Sequence, residues 1–298
     1  PGDALRNAVE KPSLDFVFYL IVTDTTSAMN GDQAKKYGIE LVSLSVLIDH
    51  QEYKDQIDIS TEELYQKLRD GCIPTTSQPN TGYLQNLMEK WKSENYEAII
   101  VITCSSDLSG TWSGFNLVKN DLEMDNMYIY DSRQIGAPVM DMAICAKEMA
   151  NNDCSVAEIF EMLERKSANV FSFLAPLDFK QLARSGRLSP LAAKMATILK
   201  VKALLYLKED GSCVDKFAMS RTESKVIKTM IEKFKSANVN AQDFRIYISH
   251  ADNEELAIKA KNLLQDIFEG IEVFVNKLPA VLTCHGGLGC IAIHYICK

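Results

Sequence analysis

Residues 16–22, Phe-Val-Phe-Tyr-Leu-Ile-Val, form an unbroken apolar run that stops abruptly at Thr23-Asp24. A strand with one wet face alternates apolar and polar residues, so a continuous run predicts a strand covered on both faces, as in a parallel sheet between helices. Residues 41–48 and 98–103 repeat the pattern, and Met127-Tyr128-Ile129-Tyr130-Asp131 predicts a further strand. Between them, Ser60-Thr61-Glu62-Glu63 has the spacing of a capping box, with Leu64 and Leu68 starting a buried helical stripe. A helix is expected over residues 140–149. Strands alternating with helices imply right-handed crossovers and an α/β layered fold.

The pattern changes in the second half. A capping box at Ser155-Val156-Ala157-Glu158 opens a helix ending near Lys166, and a strand is expected over residues 169–174. Residues 201–207 and 214–219 flank Glu209-Asp210-Gly211 and predict an antiparallel β-hairpin. Amphipathic helices over 222–234 and 254–268, with strands over 244–249, 272–275 and 290–296, complete a mixed α/β unit. The 298 residues suffice for two cores. The expected division is a leader or expression remnant over residues 1–14, an N-terminal α/β domain with a mainly parallel sheet over 15–167, and a mixed α/β lipid-binding domain over 168–298.

A net charge of −8 leaves no basic stripe for a phosphate backbone, which argues against nucleic acid as the main partner. Eight cysteines without a CxxC pair suggest reduced thiols in a cytoplasmic protein. No apolar run reaches the roughly 18 residues that a membrane helix needs, so at most transient membrane contact is expected. His50, His250, His285 and His294 share no metal-ligand spacing, and no metal site is assigned.

Three short polar segments carry the chemistry. In Ser105-Ser106-Asp107-Leu108-Ser109-Gly110-Thr111, Ser109 and Gly110 sit between a buried strand and a helix, where free amides and the helix dipole favour an anion. A simple N-cap role for Ser109 is the structural alternative. In Thr75-Thr76-Ser77-Gln78-Pro79, the proline restricts the residue before it to extended geometry, and a loop presents Thr76 and Ser77, with Asn80 or Thr81 capping a helix over 82–90. His285 precedes Gly286, Gly287 and Gly289, which permit close backbone approach to a ligand; the alternative is a solvated turn histidine. Arg184-Ser185-Gly186-Arg187 offers two guanidiniums for a phosphate or a partner's carboxylates, or forms a solvated basic turn. Asp24 and Asp131 end strands where ligand crevices form, and are given only a minor role.

In order along the chain, the TSQP loop, the SSxLSGT turn, Tyr130-Asp131-Ser132, the R-x-G-R-L turn and the late HxGxG loop resemble the DegV family from about residue 18 to 296. That resemblance implies two α/β domains with a long-chain fatty acid in a cleft or tunnel between them. By position, Thr76, Ser109 and His285 look like its carboxylate contacts, assisted by backbone amides near Ser109 and Gly110, and Ser77 and Gly286 complete the expected ligand-binding set. It further implies that the chain is the fatty-acid-binding subunit of a bacterial fatty acid kinase, without a cofactor or catalytic residue of its own. A separate ATP-binding subunit, met through Arg184 or Arg187, would make the acyl phosphate. The absence of GxxxxGK[ST] agrees with that division. The segment Thr25 to Asn30 departs from the family pattern. Burial of roughly sixteen methylenes at about 0.8 kcal/mol each would hold such a ligand, with Met140, Phe171, Phe173, Leu174 and Met195 as candidate tail contacts. Two other readings stay open: a serine-dependent lipid hydrolase or acyltransferase using Ser109 and His285, although no GxSxG elbow exposes that serine, and a lipid-responsive regulator.

Overall fold

The computed structural model describes residues 18–195 and 201–298. The leader and the start of the first apolar run lie outside these residues. The first half contains β1 (Tyr19–Asp24), a 3-10 turn (Thr25–Ser27), α1 (Gly31–Tyr37), β2 (Glu40–Val42), β3 (Ser45–Ile48), β4 (Gln51–Lys54), α2 (Thr61–Arg69), β5 (Thr75–Ser77) and α3 (Thr81–Ser93). It continues with β6 (Ala98–Thr103), α4 (Thr111–Asp121), β7 (Met127–Asp131), α5 (Ala137–Asn151) and α6 (Val156–Ala168). The second half holds β8 (Val170–Ala175), α7 (Phe179–Arg184), α8 (Pro190–Met195), β9 (Lys202–Leu207), β10 (Val214–Ser220), α9 (Glu223–Ser236), β11 (Phe244–His250), α10 (Glu254–Ile267), β12 (Glu272–Lys277), α11 (Ala280–Gly286) and β13 (Ile291–Cys297).

β2, β1, β6 and β7 form an all-parallel sheet in that order. Leu84, Met88, Trp91, Phe115 and Val118 of α3 and α4 bury one face, while Met140, Ala143, Ile159 and Leu163 of α5 and α6 bury the other. Cover on both faces is why β1 and β6 are buried at every position and apolar up to their ends at Thr23-Asp24 and Thr103. Register places Thr103 beside Asp131, so the carboxyl ends of β6 and β7 open onto one edge, next to the end of β1.

The second sheet runs β10-β9-β8-β13-β11-β12, antiparallel except for the β11–β12 pair. The expected β9–β10 hairpin is present. One part of this sheet packs on α9 and α10 through Phe171, Phe173, Phe234, Ile246 and Ile248; Tyr247 and Ile296 instead join the core around α5. The two domains therefore meet across α5.

Two sequence expectations are corrected. Residues 41–48 are not one strand: the Leu44 amide donates to Thr25 Oγ1 at 3.1 Å, and the chain leaves the parallel sheet after Val42. β3 then pairs with β4 and β5 in a separate antiparallel sheet, which makes residues 75–77 an edge strand rather than a loop. Both predicted capping boxes form, at Ser60–Glu63 and Ser155–Glu158, and the second helix runs on to Ala168. Asn80 caps α3, accepting from the Gly82 amide at 2.9 Å.

Candidate functional site

Residues 105–111 fold into a braced turn. The Asp131 carboxylate accepts from the Ser106 hydroxyl at 2.6 Å and from the Ser106 amide at 3.2 Å. The Ser105 hydroxyl donates to the Gly211 carbonyl at 2.8 Å, which fastens the turn to the β9–β10 hairpin of the other sheet. Ser109 Oγ lies 2.9 Å from Thr111 Oγ1, and Gly110, not Ser109, is the N-cap of α4, with no side chain capping it. The Thr111 amide donates to Ser109 Oγ at 3.3 Å, and no side chain caps the Trp112 and Ser113 amides that follow it. A Cβ on Gly110 would fall 1.7 Å from Gln78 Oε1, so the missing side chain is what lets Gln78 lie across the turn.

His285 is not in an open turn. It occupies the last turn of α11, half-buried, with Nε2 2.8 Å from Thr76 Oγ1 on β5. Burial, then the positive charge of Arg187, lowers its pKa to about 4, so the imidazole is neutral at pH 7. If Nε2 carries the proton and donates to Thr76, the threonine hydroxyl is free to donate onward. At the start of α11, buried Asp55 accepts from the Val281 amide at 3.3 Å. Burial raises its pKa to about 7, and raises that of Asp24, the cap of the 3-10 turn, to about 6.

These segments share one cavity. Thr76, Ser77, Gln78, Ser109, Gly110, Arg187, His285 and Gly286 give it a polar surface. Leu44, Leu108, Ile135, Phe173, Leu174, Leu182, Leu207, Val214, Leu278, Val281 and Leu282 make the rest of its wall mostly apolar. Its empty space is about 1040 Å³, open solvent at the mouth included. Among the described residues, no group of three His, Cys, Asp or Glu side chains is placed to hold a metal, and no helix is long and apolar enough to cross a membrane.

The family model described as the DegV family of uncharacterised proteins matches residues 19–298. The chain belongs to the DegV family. Curated relatives include protein DegV of Bacillus subtilis, 28% identical over 93% of this chain and 99% of that protein. Another is a fatty acid-binding protein of Thermotoga maritima, 26% identical over 90% and 94%. Solved structures with the same fold include a DegV family protein from Thermus thermophilus described for its fatty acid binding, with 26% identity and a TM-score of 0.85 over 94% of this chain and 100% of that one. DegV of Bacillus subtilis, described as a fatty acid binding protein, has 28% identity and a TM-score of 0.84 over 95% and 100%.

Within this DegV chain, all six residues expected to bind the ligand line the cavity, and of the expected tail contacts Phe173 and Leu174 do so. Met140 and Phe171 belong to the cores around α5 and α9, and Met195 packs with Leu182 and Leu205 behind the wall. Arg187 lines the cavity, its Nε donating to the Leu108 carbonyl at 3.3 Å, whereas Arg184 is exposed at the end of α7. Asp24 and Asp131 hold loops rather than face the cavity. Sequence reading missed Thr26, Gln78, Cys104 and His294, all of which line it. A hydrophobic pattern places His294 on a strand but does not say which face its neighbours leave open.

Proposed function

We propose that this chain binds a long-chain fatty acid in the cavity and presents its carboxylate to a separate ATP-binding kinase subunit that forms the acyl phosphate. The observation that carries the reading is a mostly apolar cavity lined by the Thr76–His285 pair, Ser109 and Gly110, the N-cap of α4. Neutral hydroxyl, imidazole and amide donors suit a carboxylate, because charge-assisted hydrogen bonds are about twice as strong as neutral ones. The fatty-acid-binding relatives support the same ligand class.

Arg184 is the residue suited to the partner. It is exposed, and the segment around it also exposes Leu177 and Leu191, an apolar and basic surface that an acidic-rimmed kinase subunit would cover. The Gln181 amide group of α7 donates to the Cys284 carbonyl of α11 at 2.7 Å, so this surface is coupled to the helix that carries His285. The hydrolase reading has less support, since Ser109 is bonded to Thr111 and His285 to Thr76 rather than to each other.

Mass spectrometry of the purified protein under native and then denaturing conditions tests the binding step. A near-equimolar long-chain carboxylic acid released on unfolding is the expected result; no bound acid, and none taken up on addition, would sink the proposal. Arg184→Glu should abolish kinase-dependent acyl phosphate formation while the acid still binds. If it leaves phosphorylation intact, the partner meets another face.

A further inference from the structure

The strongest unexplained group in the molecule is the imidazole of His294. It is buried, 3% exposed, on β13 opposite Ser172 of β8, and it lines the cavity among Phe173, Ala292 and Leu282. Its Nδ1 lies 2.8 Å from Ser172 Oγ, and the Ser172 hydroxyl donates to Gln134 Oε1 at 3.4 Å. A hydroxyl has one proton, so a Ser172 that donated to Nδ1 would leave the ring proton on Nε2, whereas if Ser172 donates to Gln134 it accepts from His294 Nδ1–H. Nε2 is then a bare lone pair, and no hydrogen bond reaches it. Burial lowers the pKa of this histidine to about 3, so Nε2 stays unprotonated at pH 7. Gly136, at φ +75°, lies beside it: a Cβ there would sit 3.5 Å from Nε2 and 3.9 Å from Leu282. The glycine leaves open the space beside the Nε2–Cε1 edge of the ring, where a side chain would otherwise rest.

A buried acceptor left unpaired in an apolar wall is costly, and a ligand that supplies the missing donor recovers that cost. The geometry points to an acyl chain bearing a hydroxyl as the preferred ligand, with the hydroxyl donating to His294 Nε2 while the carboxylate occupies the Thr76–His285–Ser109 surface. This rests on the fatty-acid reading above and narrows its ligand class. His294 is then a specificity-determining residue. Elsewhere along the tail a hydroxyl would lose its hydration without a partner and weaken binding.

The test is calorimetric titration of the delipidated full chain with octadecanoic acid and with the series of its monohydroxy derivatives. The expected result is one hydroxyl position that binds at least about tenfold more tightly than its neighbours in the series, with the others weaker than the parent acid. In His294→Leu that advantage should vanish. A series in which every hydroxyl weakens binding alike, or an optimum that survives in His294→Leu, would overturn the inference while leaving the fatty-acid reading intact. Failure of octadecanoic acid and of the whole series to bind would overturn both. Should His294→Leu fail to fold, the matching oxo acid on the unaltered protein decides. It lacks a proton to donate and should bind worse than the hydroxy acid, and a preference for it would show that Nε2 is a donor.

Discussion

At the scale of single residues, the proposed carboxylate contacts Thr76, Ser109 and His285 are neutral donors whose positions are set by neighbours. Thr76→Val keeps the β-branched shape of β5 but removes the hydroxyl and leaves His285 Nε2 unpaired. Loss of one hydrogen bond to a charged group is worth about 1.5–3 kcal/mol, so octadecanoic acid should bind roughly 10- to 100-fold more weakly in a calorimetric titration, with Ser109→Ala behaving similarly. Buried titratable groups also shape the response to pH. Between about pH 4 and 6 the unfolded chain holds protons on His285 and His294 that the folded one lacks, because their pKa values are lowered to about 4 and about 3. The folded chain in turn holds protons on Asp24 and Asp55, raised to about 6 and about 7, that the unfolded one lacks. The two differences cancel in sign. Asp55→Asn removes one proton from the folded side, so its stability should rise with pH relative to the parent by up to about 1.4 kcal/mol per unit over that window. Urea melts at several pH values measure this, and parallel curves for the two proteins would refute it.

At the scale of elements, the joint between the sheets is polar at its centre. Asp141 of α5 meets Lys166 of α6 at 2.8 Å, Arg245 of β11 at 3.2 Å and the Tyr247 hydroxyl at 2.7 Å, and Lys166 also donates to the Cys297 carbonyl at 2.6 Å. Asp141 and Lys166 are each 1% exposed, so removing Lys166 leaves the buried Asp141 carboxylate with the more exposed Arg245 as its counter-charge. Lys166→Met is expected to lose about 3–5 kcal/mol in denaturant unfolding, and adding Asp141→Asn should restore part of it. A loss below about 1 kcal/mol would mean that the cluster is not what joins α5 and α6 to the second sheet. Element types were largely legible in the sequence, since two-sided burial leaves apolar runs and capping boxes mark helix starts. The strands and helices that escaped, such as β4, β5 and α7, are short and partly exposed, so neither period nor length announced them.

At the scale of the whole molecule, α11 crosses back from the second half of the chain to pack Val281 and Cys284 against Leu44, Val46 and Leu64 of the first. The cavity is thus walled by both domains, and a ligand filling it should stabilise them together. At a free concentration 100 times its Kd, a bound acid contributes about 2.7 kcal/mol, which corresponds to roughly 5–10 °C in Tm. Scanning calorimetry of the delipidated and reloaded protein checks this, and an unchanged Tm would count against a site shared by the two domains. The sequence by itself determined the parallel sheet, the hairpin of the second sheet and the family resemblance, because burial period, caps and local motifs are written in neighbouring residues. Only the tertiary structure decided that His285 pairs with Thr76, 209 positions away, that Arg187 faces the cavity while Arg184 faces out, and that His294 keeps an unpaired nitrogen in the wall. Those facts depend on which distant side chains share a buried space, and that is set by how α11 and the two sheets pack, not by the order of residues along any one of them.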